Sequence, residues 1–125
     1  MEIWLNPDCT KCRIAIKTLD EAGVYYVVRR YLDDPPTAAE LAEVVDRLGL
    51  EPWDVARLGE PVAAELRLAD WPRDPDSRQR WLQAMAGHPI LIQRPIITAD
   101  DGHTVIGRSE SALDEIIEAE RPAEA

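Results

Sequence analysis

The sequence has 125 residues, of which 46% are hydrophobic and 30% are charged. This length predicts one folded domain with its own hydrophobic core, and the composition is typical of a soluble globular protein. Fourteen basic and 24 acidic residues give a formal net charge of −10, which argues against a direct nucleic-acid-binding surface.

The sequence also carries signals about its cellular compartment. No apolar run approaches the roughly 18 residues of a membrane helix, so no membrane association is expected. Glu2 follows Met1 directly, and no basic and apolar signal peptide precedes the first predicted element. Two cysteines in a chain of this kind suggest a reducing compartment, where a disulfide would be transient. We therefore expect a cytoplasmic protein.

The first predicted elements are a strand at about residues 2–5 and a helix from about Thr10 to Ala22, which Gly23 ends. Both cysteines lie where the helix begins, in the motif Cys9-Thr10-Lys11-Cys12. A thiol at that place faces unpaired backbone N–H groups and the positive end of the helix dipole, which favour the thiolate. Lys11 and Arg13 add positive charge nearby.

This motif allows three interpretations. Cys12 lies three residues after Cys9 on the same helix face, within reach of a disulfide, which favours a redox or nucleophilic role. A structural zinc site is the second interpretation, but it needs four ligands, and His88 and His103 lie at unrelated spacing. Two inert buried thiols are the third.

The middle of the chain predicts a parallel strand followed by helices. Residues 24–31 are rich in β-branched and aromatic side chains and predict a second strand, parallel to the first. Thr37 and Glu40 form a capping-box pattern that begins a helix ended by Gly49. Short helical fragments over residues 50–72 and a helix over about 76–86 follow. Their apolar side chains are expected to pack together: Trp53, Val55, Leu58, Leu66, Leu68, Trp81, Leu82 and Met85.

The last third predicts two strands and a helix. Strands at about residues 96–99 and 104–106 flank the hairpin turn Asp101-Gly102, and Ser109 is a plausible cap for the final helix. Residues 121–125 are expected to fray. The order β-α-β, a helical insert over about residues 37–87, then β-β-α is the thioredoxin/glutaredoxin layout. We predict a single α/β domain over residues 1–125, with a four-stranded mixed sheet, flanking helices and an inserted helical subdomain. Pro95, before strand three, is expected to be cis.

Several motifs occur together in this order. They are Asn6-Pro7-Asp8-Cys9, Tyr31-Leu32-Asp33-Asp34-Pro35-Pro36-Thr37 and His88-Pro89-Ile90-Leu91-Ile92-Gln93-Arg94-Pro95-Ile96. With them the chain resembles the thioredoxin-fold arsenate reductase family, the ArsC/Spx family, over about residues 3–118.

The resemblance implies a set of site residues. Family reductases use a nucleophilic cysteine, which corresponds to Cys9, and three arginines that hold the oxyanion, which correspond to Arg57, Arg94 and Arg108. Asn6 and Pro95 are expected to be structural residues near the site. Guanidinium groups would offset the repulsion between a thiolate and an anionic substrate and would present paired donors to its oxygens. A surface ion pair with an acidic side chain is the alternative for each arginine.

Two departures from the family pattern bear on the mechanism. Family reductases commonly carry a histidine just before Asn-Pro, where this chain has Leu5, and a non-cysteine where it has Cys12. The resemblance implies a reductase of arsenate in which Cys9 attacks and Cys12 resolves. No bound cofactor or metal is expected, and an external thiol such as glutathione, glutaredoxin or thioredoxin would restore the reduced form.

The same resemblance leaves open a function without turnover. The Cys9–Cys12 pair is similar to that of the Spx branch, where a C-x-x-C motif is a redox switch. The alternative is therefore a redox-responsive regulator that binds RNA polymerase.

Overall fold

The computed structural model describes residues 1–121, so the fraying predicted for residues 121–125 lies, apart from Arg121 itself, outside the described residues. Within them the elements follow the predicted order. They are β1 (Glu2–Trp4), α1 (Thr10–Glu21), β2 (Val27–Arg29), α2 (Ala38–Leu48), α3 (Pro52–Val55), α4 (Pro61–Leu66), α5 (Arg78–Gly87), β3 (Ile96–Thr98), β4 (Thr104–Ile106) and α6 (Glu110–Glu120). Short 3₁₀ segments lie at Leu68–Asp70, Pro75–Ser77 and Pro89–Leu91.

The chain divides into two compact units. The first contains Met1–Tyr31 and the segment from Arg94 onward, and the second contains Leu32–Gln93. The helical insert predicted over about residues 37–87 falls inside the second unit. Its assignment as part of a single domain over residues 1–125 stays a prediction.

The first unit is built on a four-stranded mixed sheet in the order β2-β1-β3-β4. β1 pairs in parallel with β2, with Ile3 opposite Val28. β1 pairs antiparallel with β3, with Ile3 opposite Ile97, and β3 pairs antiparallel with β4, with Ile97 opposite Val105. The predicted parallel β-α-β unit and the β3–β4 hairpin are therefore confirmed.

The second strand is shorter than the sequence predicted. The expected strand covered residues 24–31, but β2 contains only Val27–Arg29. α1 ends at Glu21, and the chain turns at Gly23, which has a φ of 71°. The N–H of Val24 then bonds the carbonyl of Leu19. The chain then crosses from the helix end to the sheet, where the N–H of Val27 bonds the carbonyl of Met1 and begins the ladder. The β-rich composition of residues 24–26 therefore does not produce strand structure.

The core of the first unit lies between the sheet and two helices. α1 contributes Ala15 and Leu19, and α6 contributes Leu113 and Ile116, at helical spacing. They pack with Ile3, Ile97 and Val105 of the sheet. This packing fixes the start of α1, where both cysteines lie.

The second unit is helical. α2 begins at the predicted capping box of Thr37 and Glu40 and ends at Gly49, which is left-handed with a φ of 69°. Trp81 of α5 is fully buried and meets Trp53 and Trp71 edge to face at ring-centre distances of 6.1 and 5.4 Å. The predicted inward residues of α5 are confirmed, since Trp81, Leu82 and Met85 are buried. The expectation for Leu58 was wrong: it is 38% exposed in the loop between α3 and α4, where no helical face turns it inward.

Within residues 1–121, no helix combines the length and the apolar character needed to cross a membrane.

We expect Gly107→Ala to destabilise the first unit. A Cβ at position 107 would lie 2.7 Å from Cδ1 of Ile97 and 3.2 Å from Leu113, and both side chains are buried. Such overpacking costs about 1–3 kcal/mol. Chemical denaturation would measure the loss. Gly59→Ala is the matched control, since nothing lies within 4 Å of its added Cβ. Equal free energies of unfolding for the two variants would contradict this account.

Candidate active site

The loop between β1 and α1 is held by hydrogen bonds within its own few residues. Asn6 is buried, with 6% of its surface exposed. Its side-chain Oδ1 accepts from the N–H of Asp8 at 3.0 Å, and its carbonyl accepts from the N–H of Cys9 at 3.0 Å. Arg13 donates to the carbonyls of Pro7 at 3.1 Å and Asp8 at 3.2 Å. These bonds place Cys9 as the N-cap residue of α1.

The Cys9 thiol is partly exposed and ionises readily. Burial opposes its ionisation, but the N–H of Cys12, the Arg94 guanidinium, the Cys12 thiol and the N–H of Lys11 outweigh it and lower the pKa of Cys9 to about 7. A free cysteine has a pKa of about 8.5. Cys9 is therefore substantially thiolate at neutral pH, as expected for a reactive cysteine at a helix start.

The Cys12 thiol differs from the Cys9 thiol in both exposure and acidity. It is fully buried, and burial together with the charge on Cys9 raises its pKa to about 11, against the smaller opposing effects of the Asn6 N–H and Arg94. It therefore stays protonated at neutral pH and donates its S–H towards the Cys9 sulfur. Both thiols are free in this structure. The pair thus divides into one ionised, accessible sulfur and one buried proton donor.

Arg94 and Arg108 are the two predicted arginines that lie in the first unit. Arg94 is 8% exposed and precedes Pro95, whose peptide bond is cis as predicted. Its guanidinium hydrogen-bonds the Cys9 sulfur. Arg108 donates from Nη1 to the carbonyl of Arg94 at 2.8 Å. Arg94 thus contacts the Cys9 thiol directly, whereas Arg108 contacts the backbone of Arg94 and helps to fix its position.

Arg57 lies in the second unit, after α3. Its Nε donates to Glu60 at 3.2 Å and its Nη1 donates to the side chain of Gln93 at 2.7 Å. Its own backbone N–H bonds the carbonyl of Leu91 at 2.7 Å. The ion pair with Glu60 fits the surface-pair alternative considered from the sequence. Its role as an oxyanion ligand stays a prediction.

Two contributions to the site went beyond the sequence analysis. Arg13 was expected only to add positive charge, but its guanidinium ties together the carbonyls of the loop before Cys9. Gly107, directly after β4, lies against the buried side chain of Ile97, because a Cβ there would lie 2.7 Å from its Cδ1. The N–H of Gly107 also bonds the carbonyl of Pro95 at 2.9 Å. Neither residue stands in a sequence pattern that signals these partners.

A zinc site was one of the two alternative interpretations of the cysteines. Across residues 1–121, no three His, Cys, Asp or Glu side chains are grouped so that they could hold a metal ion.

The chain matches known proteins over nearly its whole length. The model of the ArsC family matches residues 4–116. The chain is 56% identical to a protein in the glnII region of Streptomyces viridochromogenes, over 90% of this chain and 95% of the relative. It is 34% identical to an arsenate reductase of Neisseria meningitidis, over 94% of this chain and 97% of the relative. The structure of an arsenate reductase from Vibrio cholerae superposes with a TM-score of 0.73 at 31% identity, over 94% of this chain and 97% of that one. The thioredoxin-like fold predicted from the element order is therefore confirmed.

We expect Arg94→Gln to raise the pKa of Cys9 and slow its alkylation at pH 7. The guanidinium stabilises the thiolate, so its loss shifts the equilibrium towards the thiol and raises the midpoint by about one pH unit. The pH profile of iodoacetamide alkylation, followed on the Cys9 peptide by mass spectrometry, measures this. Arg47→Gln is the control, because Arg47 pairs with Glu43 on α2 in the other unit. An unchanged midpoint in Arg94→Gln would show that the helix start alone sets the pKa.

Proposed function

This chain belongs to the ArsC family, and from that premise we propose that it is a thiol-dependent oxidoreductase resembling arsenate reductase, with arsenate as substrate and Cys9 as nucleophile. The observation that carries the proposal is the Cys9 thiol, which has a pKa of about 7 and hydrogen-bonds the buried Arg94 guanidinium. Several relatives at 30–37% identity are named arsenate reductases.

Arginines suit this substrate because arsenate is a tetrahedral oxyanion. Attack by a thiolate brings two negative groups together, and a guanidinium offsets their repulsion while donating to two oxygens at once. Arg94 is beside the sulfur, which supports a role at the reacting end of the substrate. We assign Arg57 and Arg108 as further oxyanion ligands on the family correspondence. One of the five N–H donors of Arg108 is already used for the Arg94 carbonyl.

The proposed reaction begins with attack of the Cys9 thiolate on arsenic. An S–As bond forms, and one arsenate oxygen takes up protons and leaves as water. The Cys12 thiol then gives up its proton, and its sulfur attacks the Cys9 sulfur. The S–As bond breaks and its electron pair stays on arsenic. Arsenic(V) is thereby reduced to arsenic(III), and two thiols are oxidised to one disulfide.

The opposite acidities of the two thiols support this order. Cys9 is ionised first and can attack, while Cys12 is kept protonated by burial and by the charge on Cys9. Once the Cys9 sulfur is bonded to arsenic it no longer carries that charge, and Cys12 ionises more easily. Two equivalents of an external thiol, or one dithiol protein, then reduce the disulfide and restore both cysteines.

We expect arsenate-dependent turnover that requires Cys9. In an assay that couples the protein to NADPH through glutaredoxin, glutathione and glutathione reductase, NADPH should be consumed only when arsenate is present. Cys9→Ser should abolish the reaction because the alcohol does not ionise at this pH. No arsenate dependence with any thiol donor would contradict the enzyme assignment. A redox-dependent association with RNA polymerase subunits in place of turnover would identify the regulator instead.

We expect Cys12→Ser to stop turnover after the first S–As adduct forms. With dithiothreitol as reductant, the wild-type protein should cycle, whereas the variant should accumulate a Cys9 adduct visible by intact mass. Thr10→Ser, a neighbouring change that keeps a hydroxyl in the helix start, is the control. Undiminished multiple turnover by Cys12→Ser with glutathione alone would show that Cys12 does not resolve the adduct.

A further inference from the structure

Arg57 follows α3, where two segments of the second unit run side by side. Ala56 pairs with Ile92 in an antiparallel bridge, and the N–H of Gln93 bonds the carbonyl of Val55 at 2.9 Å. Val55 and Ile92 are both buried. Main-chain bonds therefore fix the backbone positions of Arg57 and Gln93, and these bonds do not depend on either side chain.

Two side chains hold the Arg57 guanidinium at different nitrogen atoms. Glu60 accepts from Nε at 3.2 Å, and Gln93 accepts from Nη1 through its Oε1 at 2.7 Å. Glu60 is the N-cap residue of α4, and its N–H bonds the carbonyl of Arg57 at 3.3 Å. The side chains of Arg57 and Glu60 are only 27% and 20% exposed, so water has limited access to their ion pair. Contacts at two separate nitrogens restrict the rotation of the planar guanidinium as well as its position.

These contacts leave the Arg57 guanidinium able to bind an anion. A guanidinium has five N–H donors. Glu60 takes the one on Nε and Gln93 takes one of the two on Nη1, which leaves one donor on Nη1 and two on Nη2. Because the five donors form a rigid fork, fixing Nε and Nη1 also fixes the directions of these three. The ion pair with Glu60 is therefore compatible with binding of an oxyanion by the same side chain.

We propose that Glu60 and Gln93 are positioning residues that hold the Arg57 guanidinium in a fixed orientation for an oxyanion. The inference rests on the proposed function, in which Arg57 is an oxyanion ligand, and it adds the two side chains that act on the substrate through Arg57. An arginine that is ordered before the oxyanion arrives loses little side-chain entropy on binding, so its donors contribute more to affinity. Loss of either contact lets the side chain rotate, and the oxyanion must then order it.

Inorganic phosphate is the probe for this test, because it is a tetrahedral oxyanion like arsenate but is not reduced by thiols. Phosphate bound beside Cys9 should slow alkylation of that cysteine by iodoacetamide at pH 7 and constant ionic strength. The phosphate concentration that halves the rate measures its affinity. Gln93 directly precedes Arg94, so each rate is expressed relative to that of the same variant without phosphate. A change in the pKa of Cys9 between variants then cancels.

We expect Gln93→Leu and, separately, Glu60→Ala to raise the half-protecting phosphate concentration about two- to tenfold, which is the range for ordering one long side chain on binding. Glu60→Gln is the matched control. It removes the same charge as Glu60→Ala but keeps an oxygen that accepts from Nε, so the half-protecting concentration should not rise. In an Arg57→Ala background, neither Gln93→Leu nor Glu60→Ala should add more than about a twofold change, because the residue through which they act is absent.

An unchanged half-protecting concentration in both Gln93→Leu and Glu60→Ala would overturn the inference. The same rises in the Arg57→Ala background would also overturn it, since both residues would then act by another route. So would an absence of phosphate protection in the wild-type protein, or an Arg57→Ala variant that binds phosphate as tightly as the wild type. The assay uses neither arsenate nor a reductant, so its failure is distinct from a failure of arsenate-dependent turnover by Cys9.

Discussion

The chemistry proposed for this protein depends on how one sulfur is kept ionised. Cys9 is the N-cap residue of α1, and the N–H groups of Lys11 and Cys12, with the Arg94 guanidinium, overcome the burial that would otherwise protonate it. Its low pKa also favours the reduced protein over the disulfide, because a stable thiolate is a good leaving group. The ionisation is linked to folding as well. A pKa lowered in the folded state stabilises the fold above the pKa of the unfolded thiol, and this contribution is lost as the pH falls through about 7.

The rest of the first unit positions the groups that act on this sulfur. The packing of α1 and α6 on the sheet fixes the start of α1. The β3–β4 hairpin brings Gly107 and Arg108 to the segment containing Pro95, and hydrogen bonds to the carbonyls of Arg94 and Pro95 hold that segment in place. A long-range arrangement of backbone contacts therefore delivers one guanidinium to a thiol 85 residues earlier in the chain. Any change that loosens the hairpin is expected to act on Cys9 through Arg94.

Local patterns in the sequence were enough to predict much of this structure. The capping box at Thr37, the left-handed glycines after α1 and α2, and the Asp101-Gly102 turn act over a few residues, and their elements form as predicted. The length of β2 was overestimated because the composition of residues 24–26 favours a strand. In the structure, the helix end near Gly23 and the distance to the sheet decide at which residue strand pairing begins. The burial of Leu58 was predicted wrongly because the spacing of apolar residues in short helical fragments does not define a buried face.

The candidate site was likewise predictable only in part. The ionised Cys9 followed from its place at a helix start, whereas the buried Cys12 proton donor and the hydrogen bond from Arg108 to the Arg94 carbonyl depend on tertiary contacts that no local pattern encodes. The ionisation of the Cys9 thiol is one acid–base equilibrium, which direct titration measures. The thiolate absorbance of the reduced wild-type protein, with Cys9→Ser subtracted, should rise with a midpoint at about pH 7. A midpoint at or above the roughly 8.5 of a free cysteine would contradict the account.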